Sequence, residues 1–483
     1  MAVVSCPGCL ERDARLRELE RQLAQQRQRA DGLAERLGAV EGQLHEALAR
    51  LGTNAANSSV PPSANPPGAP KPVAKPRTGN RPGAQPGHPA RLRQRLPRAR
   101  VSRTIDFVPG RCDRCHEPLP PGPGPDDPEP SWHQVAELPE LAAQVTEYRG
   151  HYRTCPGCGT LNHAPIPQGL KAHSIGPRLA ATLAYLAGSH RVSKRGLEEI
   201  TADVFDVPVS LGTVANLEAQ MSAALAPAHA EALQVVRDAA VKNVDETSWK
   251  LAGDLCWLWV AATSTAAVFL VHARRGWDAL VALLGAKVQG LVCSDRWSAY
   301  GRLSPYCRQV CWAHLKRDFQ KLVDRGGPAA RLGAKLQRLA GRVFEEWHLF
   351  RGGTFGREAL PDRLDAEGRE LERLLRAGRR CADAKAATFC RNVLGLLPAV
   401  WRFVVTDGVE PTNNHAERLL RRGVLGRKNA FGSSSAAGCR FVGRMLTVVQ
   451  TRRLQGRPVL PHLHQALSAH RHGRPAPSLL SAE

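Results

Sequence analysis

The sequence predicts a multidomain chain: a large α/β domain with a helical insertion, preceded by a coiled coil, a basic linker, a zinc-binding module and a helical, helix-turn-helix-like region. Three observations predict it. Residues 10–51 repeat every seven. Two C-x-x-C pairs sit in Gly- and Pro-rich sequence between 104 and 168. From Val241 the apolar period shifts from helical to strand-like. The 483 residues leave room for about three domains at roughly 150 each.

Residues 1–51 come first. Leu16, Leu23, Ala30, Leu37, Leu44 and Leu51 form one heptad series, and Leu19, Gln26, Leu33, Val40 and Ala47 follow three positions behind. This is the seam of a leucine-zipper coiled coil that pairs two chains. The alternative is a long helix lying on the protein's own core. Gly32, Gly38 and Gly42 weaken the helix either way. Cys6-Pro7-Gly8-Cys9 precedes the repeat. In a parallel dimer two copies meet there, and four thiolates would suit an inter-chain zinc.

Residues 52–103 hold ten basic residues and no acidic one. Rich in Pro, Ala, Asn and Ser, they cannot bury a core and read as a disordered linker. Such a segment lies along phosphates by counterion release, or serves as a plain solvated tether. Residues 104–168 carry Cys112, Cys115, Cys155 and Cys158. Each C-x-x-C supplies two soft ligands from one tight turn, so the four suit a structural Zn²⁺. His116 and His163 are spare donors, and the runs 134–138 and 144–152 read as strands.

Residues 169–240 are helical. Leu179, Leu183 and Leu186 mark one face, a second helix covers 192–200, and Asp206-Val207-Pro208-Val209 makes a turn. Ser210 then caps a third helix through Leu211, Val214 and Leu217. The segment 191–215 looks like a helix-turn-helix that offers Thr213 and Asn216 to base edges. The alternative is an ordinary helical hairpin.

The α/β core has a first part at 241–327, a helical insertion at 328–405 and a last part at 406–456, with a tail at 457–483. Strands are expected at 241–249, 257–262 and 267–271, a helix at 277–284, and a buried central strand at Leu291-Val292-Cys293. The last helix group starts near Thr412.

Lys and Arg number 67 against 44 Asp and Glu, a net charge of +23. With 55 Arg to 12 Lys, GC-rich coding explains the choice of cation but not the surplus. A polyanion, nucleic acid above all, is the expected partner. Composition excludes collagen, a wholly disordered chain and a small disulfide scaffold. Ala2-Val3-Val4 is too short for an export signal. The uncharged stretch 255–273 is broken by Thr263-Ser264-Thr265 and reads as two strands rather than a span. A cytoplasmic, nucleoid-associated protein that does not enter a membrane is expected.

Three carboxylates stand in distinctive settings. Asp245 lies within the first strand, in Asn243-Val244-Asp245-Glu246-Thr247. Asp295 follows Leu291-Val292-Cys293-Ser294, at the C-terminal end of a buried strand, where open α/β sheets place their sites. Glu417 opens the last helix group, in Asn413-Asn414-His415-Ala416-Glu417-Arg418. Taken singly, each reads as a turn or surface acid. Together they can hold two Mg²⁺ ions ~3.5–4 Å apart, an arrangement suited to phosphodiester chemistry. His314, Lys316 and Arg317 follow a strand-like run at 308–312 and would hold DNA near these metals, with Trp312 or Trp297 stacking on a flipped base. The other reading is a core Trp and a solvated basic helix. Arg418, Arg421, Arg422, Arg427 and Lys428 crowd eleven residues and suit phosphate contacts.

Nearly the whole chain resembles the insertion sequence 66 family of bacterial DDE transposases. The resemblance rests on Asn57-Ser58-Ser59 with Pro61-Pro62-Ser63, Gln85-Pro86-Gly87-His88, the two Cys pairs, Val244-Asp245-Glu246-Thr247, Cys293-Ser294-Asp295, Cys311-Trp312-Ala313-His314-Leu315-Lys316-Arg317 and Asn413-Asn414-x-Ala416-Glu417-Arg418. It implies a ribonuclease-H-like catalytic domain. It puts the catalytic and Mg²⁺-binding D, D and E on Asp245, Asp295 and Glu417, and the 122-residue interval before Glu417 fits a helical insertion. It also implies a leucine zipper and a zinc module. The function implied is binding of element ends, strand cleavage and strand transfer into target DNA. The acting species would be a homodimer or larger, with possible helper proteins from the same element. The alternatives are a catalytically silent, zinc-containing DNA-binding regulator and a nuclease of the same fold.

Overall fold

The computed structural model describes residues 94–481 except 123 and 140, with helical positions scattered between 15 and 40. Cys6, Cys9, most heptad positions and most of the linker lie outside the described residues. The seam residues Leu19, Leu23, Leu33 and Val40 are helical and exposed. Two compact units form. The smaller takes in Ala74–His163 and Glu199–Val209, and the larger includes Ala164–Glu198 and Ser210–Glu483.

In the smaller unit β1 (Tyr152–Thr154) and β2 (Leu161–His163) make an antiparallel hairpin, with Tyr152 stacked on His163 at 4.1 Å. The strands expected at 134–138 and 144–152 do not form, apart from Tyr152 itself. Val135, Leu138, Val145 and Tyr148 are all exposed. Alternating sequence without a surface to bury against does not sustain a strand.

The larger unit begins with helices. Pro177 starts α1 (Pro177–Tyr185), a first-turn position where its missing N–H costs nothing. Helix α2 (Lys194–Phe205) follows. Ser210 caps α3 (Leu211–Ala224) by accepting the Thr213 N–H at 3.2 Å, and α4 (Ala226–Asp238) follows.

The sheet contains β3 (Val241–Leu251), β4 (Asp254–Ala262), β5 (Ala267–His272), β6 (Leu291–Ser294) and β7 (Arg308–Val310), in the order β5-β4-β3-β6-β7. The first three form an antiparallel meander, while β6 and β7 run parallel to β3. Parallel pairing needs a crossover, which α5 (Trp277–Leu284) supplies. Both faces are covered. Val244, Trp259, Ala261 and Val292 pack with Leu280 and Leu283 of α5 on one side. Leu258, Val260 and Phe269 pack on the other with Ala416, Leu419 and Leu420 of α10 (Asn414–Ala430) and Val442 and Leu446 of α11 (Ala436–Leu454). Burial on both faces explains the long apolar stretch at 255–273. Among the described residues no helix is long and apolar enough to cross a membrane.

Between β7 and α10 the chain builds a helical core that continues from Leu291, Cys293 and Val310 of the sheet. It is built on α6 (Trp312–Asp324), α7 (Gly327–Arg351), α8 (Leu360–Gly378) and α9 (Ala384–Leu394), with Phe319, Leu336, Leu371, Cys390 and Phe403 at its centre. Gln309 ties it to the sheet: its amide donates to Val400 O at 3.1 Å and accepts the Phe403 N–H at 2.7 Å. Helix α12 (Val459–Arg471) comes last.

The free edge of β5 is closed by α11. Thr447 Oγ1 accepts the Phe269 N–H at 2.9 Å and donates to Gly443 O at 2.8 Å. Thr451 Oγ1 accepts the Ala267 N–H and donates to Ala267 O, both at 3.1 Å. A Cβ on Gly443 would lie 2.9 Å from Phe269 O, so only glycine permits the approach. These hydroxyls do what a sixth strand would do. Thr447→Val keeps the shape but leaves a buried N–H without a partner. Urea denaturation is expected to show a loss of about 1–3 kcal/mol.

Candidate active site

Asp245 sits mid-strand on β3. Strand alternation turns Asp245, with Asn243 and Thr247, toward α10, while Val244 and Glu246 face the α5 side. β6 pairs beside β3 with Asn243 opposite Cys293. Continued two residues, that register brings Asp295 level with Asp245 on the neighbouring strand. Parallel neighbours lie about 4.8 Å apart, and the Asp295 charge acts on Asp245. The Asp295 backbone is held there: its carbonyl accepts from Arg308 Nη2 at 3.1 Å, and its Oδ1 accepts the Trp297 N–H at 2.8 Å.

Glu417 reaches the site from the first turn of α10, and Asn413 fixes that turn. The Asn413 side chain donates to Val244 O at 2.8 Å and accepts from Asn243 Nδ2 at 2.9 Å. Its backbone N–H donates to Cys311 Sγ at 3.1 Å, and the Trp312 N–H donates to Pro411 O at 2.8 Å. Asn is a common helix cap, but here its side chain joins β3 instead of the helix. His415 Nε2 adds a contact to Thr263 O at 2.8 Å.

The three acids share one field. Burial, then the negative charges of Glu246, Asp295 and Glu417, push the Asp245 carboxyl well above its ordinary range. His314 feels both Asp295 and Glu417, although burial and then Arg317 hold it below its usual range. His314 Nδ1 lies 3.6 Å from Glu417 Oε1, and Arg317 Nη2 lies 3.8 Å from the same oxygen. Arg317 Nη1 stands 3.3 Å from His314 Nε2. Cys311 Sγ joins His314 and Glu417 in a group whose donor atoms all lie within 4.8 Å, a possible metal-binding set. It is the only such group of three or more among the described residues. The three acids are therefore neighbours in charge without being gathered that tightly.

Glu246 was not singled out by the sequence. It is buried on the opposite face, accepting Arg275 Nε at 2.8 Å and Tyr300 OH at 2.7 Å. Arg275 in turn lies over Trp257 at 4.8 Å and Trp297 at 3.9 Å. An acid adjacent to Asp245 gives no sequence cue to its partners 29 and 54 residues away.

Several expected nucleic-acid contacts need correction. Trp312 is fully buried, with its indole N–H on Val400 O at 2.9 Å and its ring against Trp401. It is a core residue and cannot stack on a base. Arg427 turns back to β3, where its Nη1 bonds Thr247 Oγ1, Ser248 O and Ser248 Oγ. It locks α10 to the strand and does not face solvent phosphate. Trp297 stays partly exposed, but Arg275 covers one ring face. Lys316, Arg418, Arg421, Arg422 and Lys428 are exposed, as is Asn216, while Thr213 is half-buried against Ser210.

The two cysteine pairs adopt the same turn. The Cys112 N–H donates to Glu117 O and the His116 N–H to Cys112 O. The Cys155 N–H donates to Thr160 O and the Gly159 N–H to Cys155 O. His116 and Gly159 both take positive φ, at 61° and 71°. Backbone N–H groups of Cys115 and Arg114 hold the Cys112 thiol below its ordinary range, and Thr160 does so for Cys158. No three of the four sulfurs lie within 4.8 Å of one another.

Residues 173–440 match the Transposase IS66 family, and residues 9–94 match a family of unknown function. Two relatives come from Sinorhizobium fredii. Uncharacterized protein y4qI is 27% identical over 42% of this chain and 40% of its own length. Uncharacterized protein y4hP is 24% identical over 66% of this chain and 64% of its own. The chain thus spans less than two thirds of either relative.

Crowded charge at Asp245 has a consequence for stability. A carboxyl raised in the folded state favours folding when protonated, and that advantage is lost as pH rises through its folded value. Asp245→Asn removes the charge without changing the shape. In chelator, thermal denaturation should find the variant more stable than wild type by about 1–2 kcal/mol, with the gap widening as pH rises.

Proposed function

The chain belongs to the transposase IS66 family, and from that membership we propose that it is a DDE-type DNA transposase with Asp245, Asp295 and Glu417 as its catalytic acids. One observation carries the reading: Asp245 on β3 shares its electrostatic field with Asp295, just past the end of the adjacent parallel β6, and with Glu417 on the helix packed against the same sheet. The strand order β5-β4-β3-β6-β7, with three antiparallel strands and two parallel ones, supports a ribonuclease-H-like assignment.

The donor set fits hard divalent ions. Carboxylate oxygens suit Mg²⁺, and Asp245 lies half-buried near three other acids whose repulsion a cation would relieve. Two Mg²⁺ ions held by Asp245, Asp295 and Glu417 would activate a water or 3′-hydroxyl and stabilise the leaving oxygen. The chain's own part is positional. Arg308 and the Trp297 N–H set Asp295, and Asn413 sets Glu417. Arg317 and His314 place positive and neutral donors beside Glu417, on the side where a phosphate's charge would gather.

DNA would be held by Lys316, Arg418, Arg421, Arg422 and Lys428, with Asn216 and Thr213 reading bases from a helix-turn-helix. The exposed seam at Leu19, Leu23, Leu33 and Val40 supports a zipper that pairs chains. The matched turns at Cys112–Cys115 and Cys155–Cys158 support a structural zinc held between them.

Asp295→Asn tests the chemistry. Incubated with element ends and Mg²⁺, it should lose nicking and joining by roughly 10³-fold or more while DNA affinity stays near wild type. Metal-independent or undiminished nicking would remove the DDE assignment, and wild-type protein that binds but never cuts would make the chain a regulator. Cutting without joined products would make it a nuclease. Elemental analysis tests the zinc. Paired Cys112→Ser and Cys155→Ser changes should lower zinc by one ion per chain, with a lower melting temperature for the small unit.

A further inference from the structure

Three arginines and a histidine lie near one another on the larger unit, with no described carboxylate paired to any of the three arginines. After α1 the chain makes a π-helical turn, Leu186–His190, and Arg191 closes it in the left-handed region at φ 64°, ψ 30°. Few residues other than glycine adopt that conformation, and π-turns often mark functional sites. The turn sends the Arg191 guanidinium against α10 at Gly426. A Cβ on Gly426 would stand 2.7 Å from its Nε and 2.8 Å from its Cζ. Arg191 Nε and Nη2 are sealed from solvent with no hydrogen-bond partner. Burial, then the neighbouring Arg422, hold its pKa down to about 10.

The surroundings add charge of the same sign. Arg422 is exposed one turn before Gly426. Arg453 of α11 donates through Nη2 to Tyr185 OH at 3.2 Å and Ser189 Oγ at 3.3 Å, while its Nη1 is sealed and unpartnered. His190 packs edge-on to Tyr185 and is held below its ordinary range by burial, Arg453 and Arg422. Unpaired guanidinium groups packed together are unfavourable by themselves, and an anion offering several acceptor oxygens relieves them.

We propose that Arg191, Arg422, Arg453 and His190 form a built binding site for a nucleic-acid backbone phosphate, distinct from the three acids. The choice of a strand over free phosphate rests on the transposase reading. The surface cations of α10 can be read from sequence, but Arg191 and Arg453 reach the site only through the fold.

The test uses the full chain and labelled duplex DNA across a salt series. Arg191→Gly suits the left-handed backbone, so its melting temperature should equal or exceed wild type. Arg191→Gly and Arg422→Ala should each weaken binding several-fold on any sequence and lower the slope of log affinity on log salt by about one. Gly426→Ala, which displaces the Arg191 guanidinium, should act like Arg191→Gly on affinity. A second arm measures melting temperature with inorganic phosphate, which should stabilise wild type but neither Arg191→Gly nor Arg422→Ala. Unchanged affinity and slope in both arginine variants would overturn the site. If wild type binds no DNA but phosphate stabilises it through Arg191, the transposase reading falls and the anion site stands.

Discussion

The site depends on one buried amide. Asn413 bonds Val244 O and Asn243 on β3 through its side chain and Cys311 Sγ through its backbone. Those bonds join the central strand, the start of α6 and the start of α10 at one point. Glu417 lies 122 residues beyond Asp295, and an entire helical core separates them. A chain returning from so long an excursion needs a specific latch, because loop entropy alone favours no particular return point. A buried amide with several partners is such a latch, since misplacing it leaves donors and acceptors unmatched.

Around that latch the protein accumulates unfavourable charge. Asp245 is half-buried near three other acids, and the buried Glu246 behind it needs Arg275 and Tyr300 to remain satisfied. Cations stand on the flanks: Arg308 under the Asp295 carbonyl and Arg317 near Glu417. The sheet tolerates the repulsion because its other contacts are extensive. Both faces carry apolar cores, α11 closes the β5 edge through Thr447 and Thr451, and Gln309 anchors β7 to the insertion. Local disfavour held by a well-determined surround is the usual condition of a functional site.

Much of the element order was legible in the residues. The β3, β4 and β5 strands, the α5 crossover, the short buried β6 and the Ser210 cap all follow from period, apolar runs and capping chemistry. Expectation failed where sequence pattern lacked a surface to pack on. Residues 134–138 and 144–151 alternate like strands yet stay irregular, because their apolar side chains are exposed. Trp312 and Arg427 failed differently. Each has the composition of a DNA contact, and each is claimed by the fold, one by the insertion core and one by β3.

The sequence by itself determined which acids, cysteines and cations exist, and where the main helices and strands of the larger unit lie, since those follow from local spacing and the chemistry of single residues. It also carried the motifs by which the family is known. Only tertiary structure decided that Asp245 feels the charges of Asp295 and Glu417, that Asn413 brings α10 onto β3, and that Arg191 lies unpaired against Gly426. Each of these is a meeting of residues far apart in the chain. Their positions depend on register and packing, which the spacing of residues along one element does not encode.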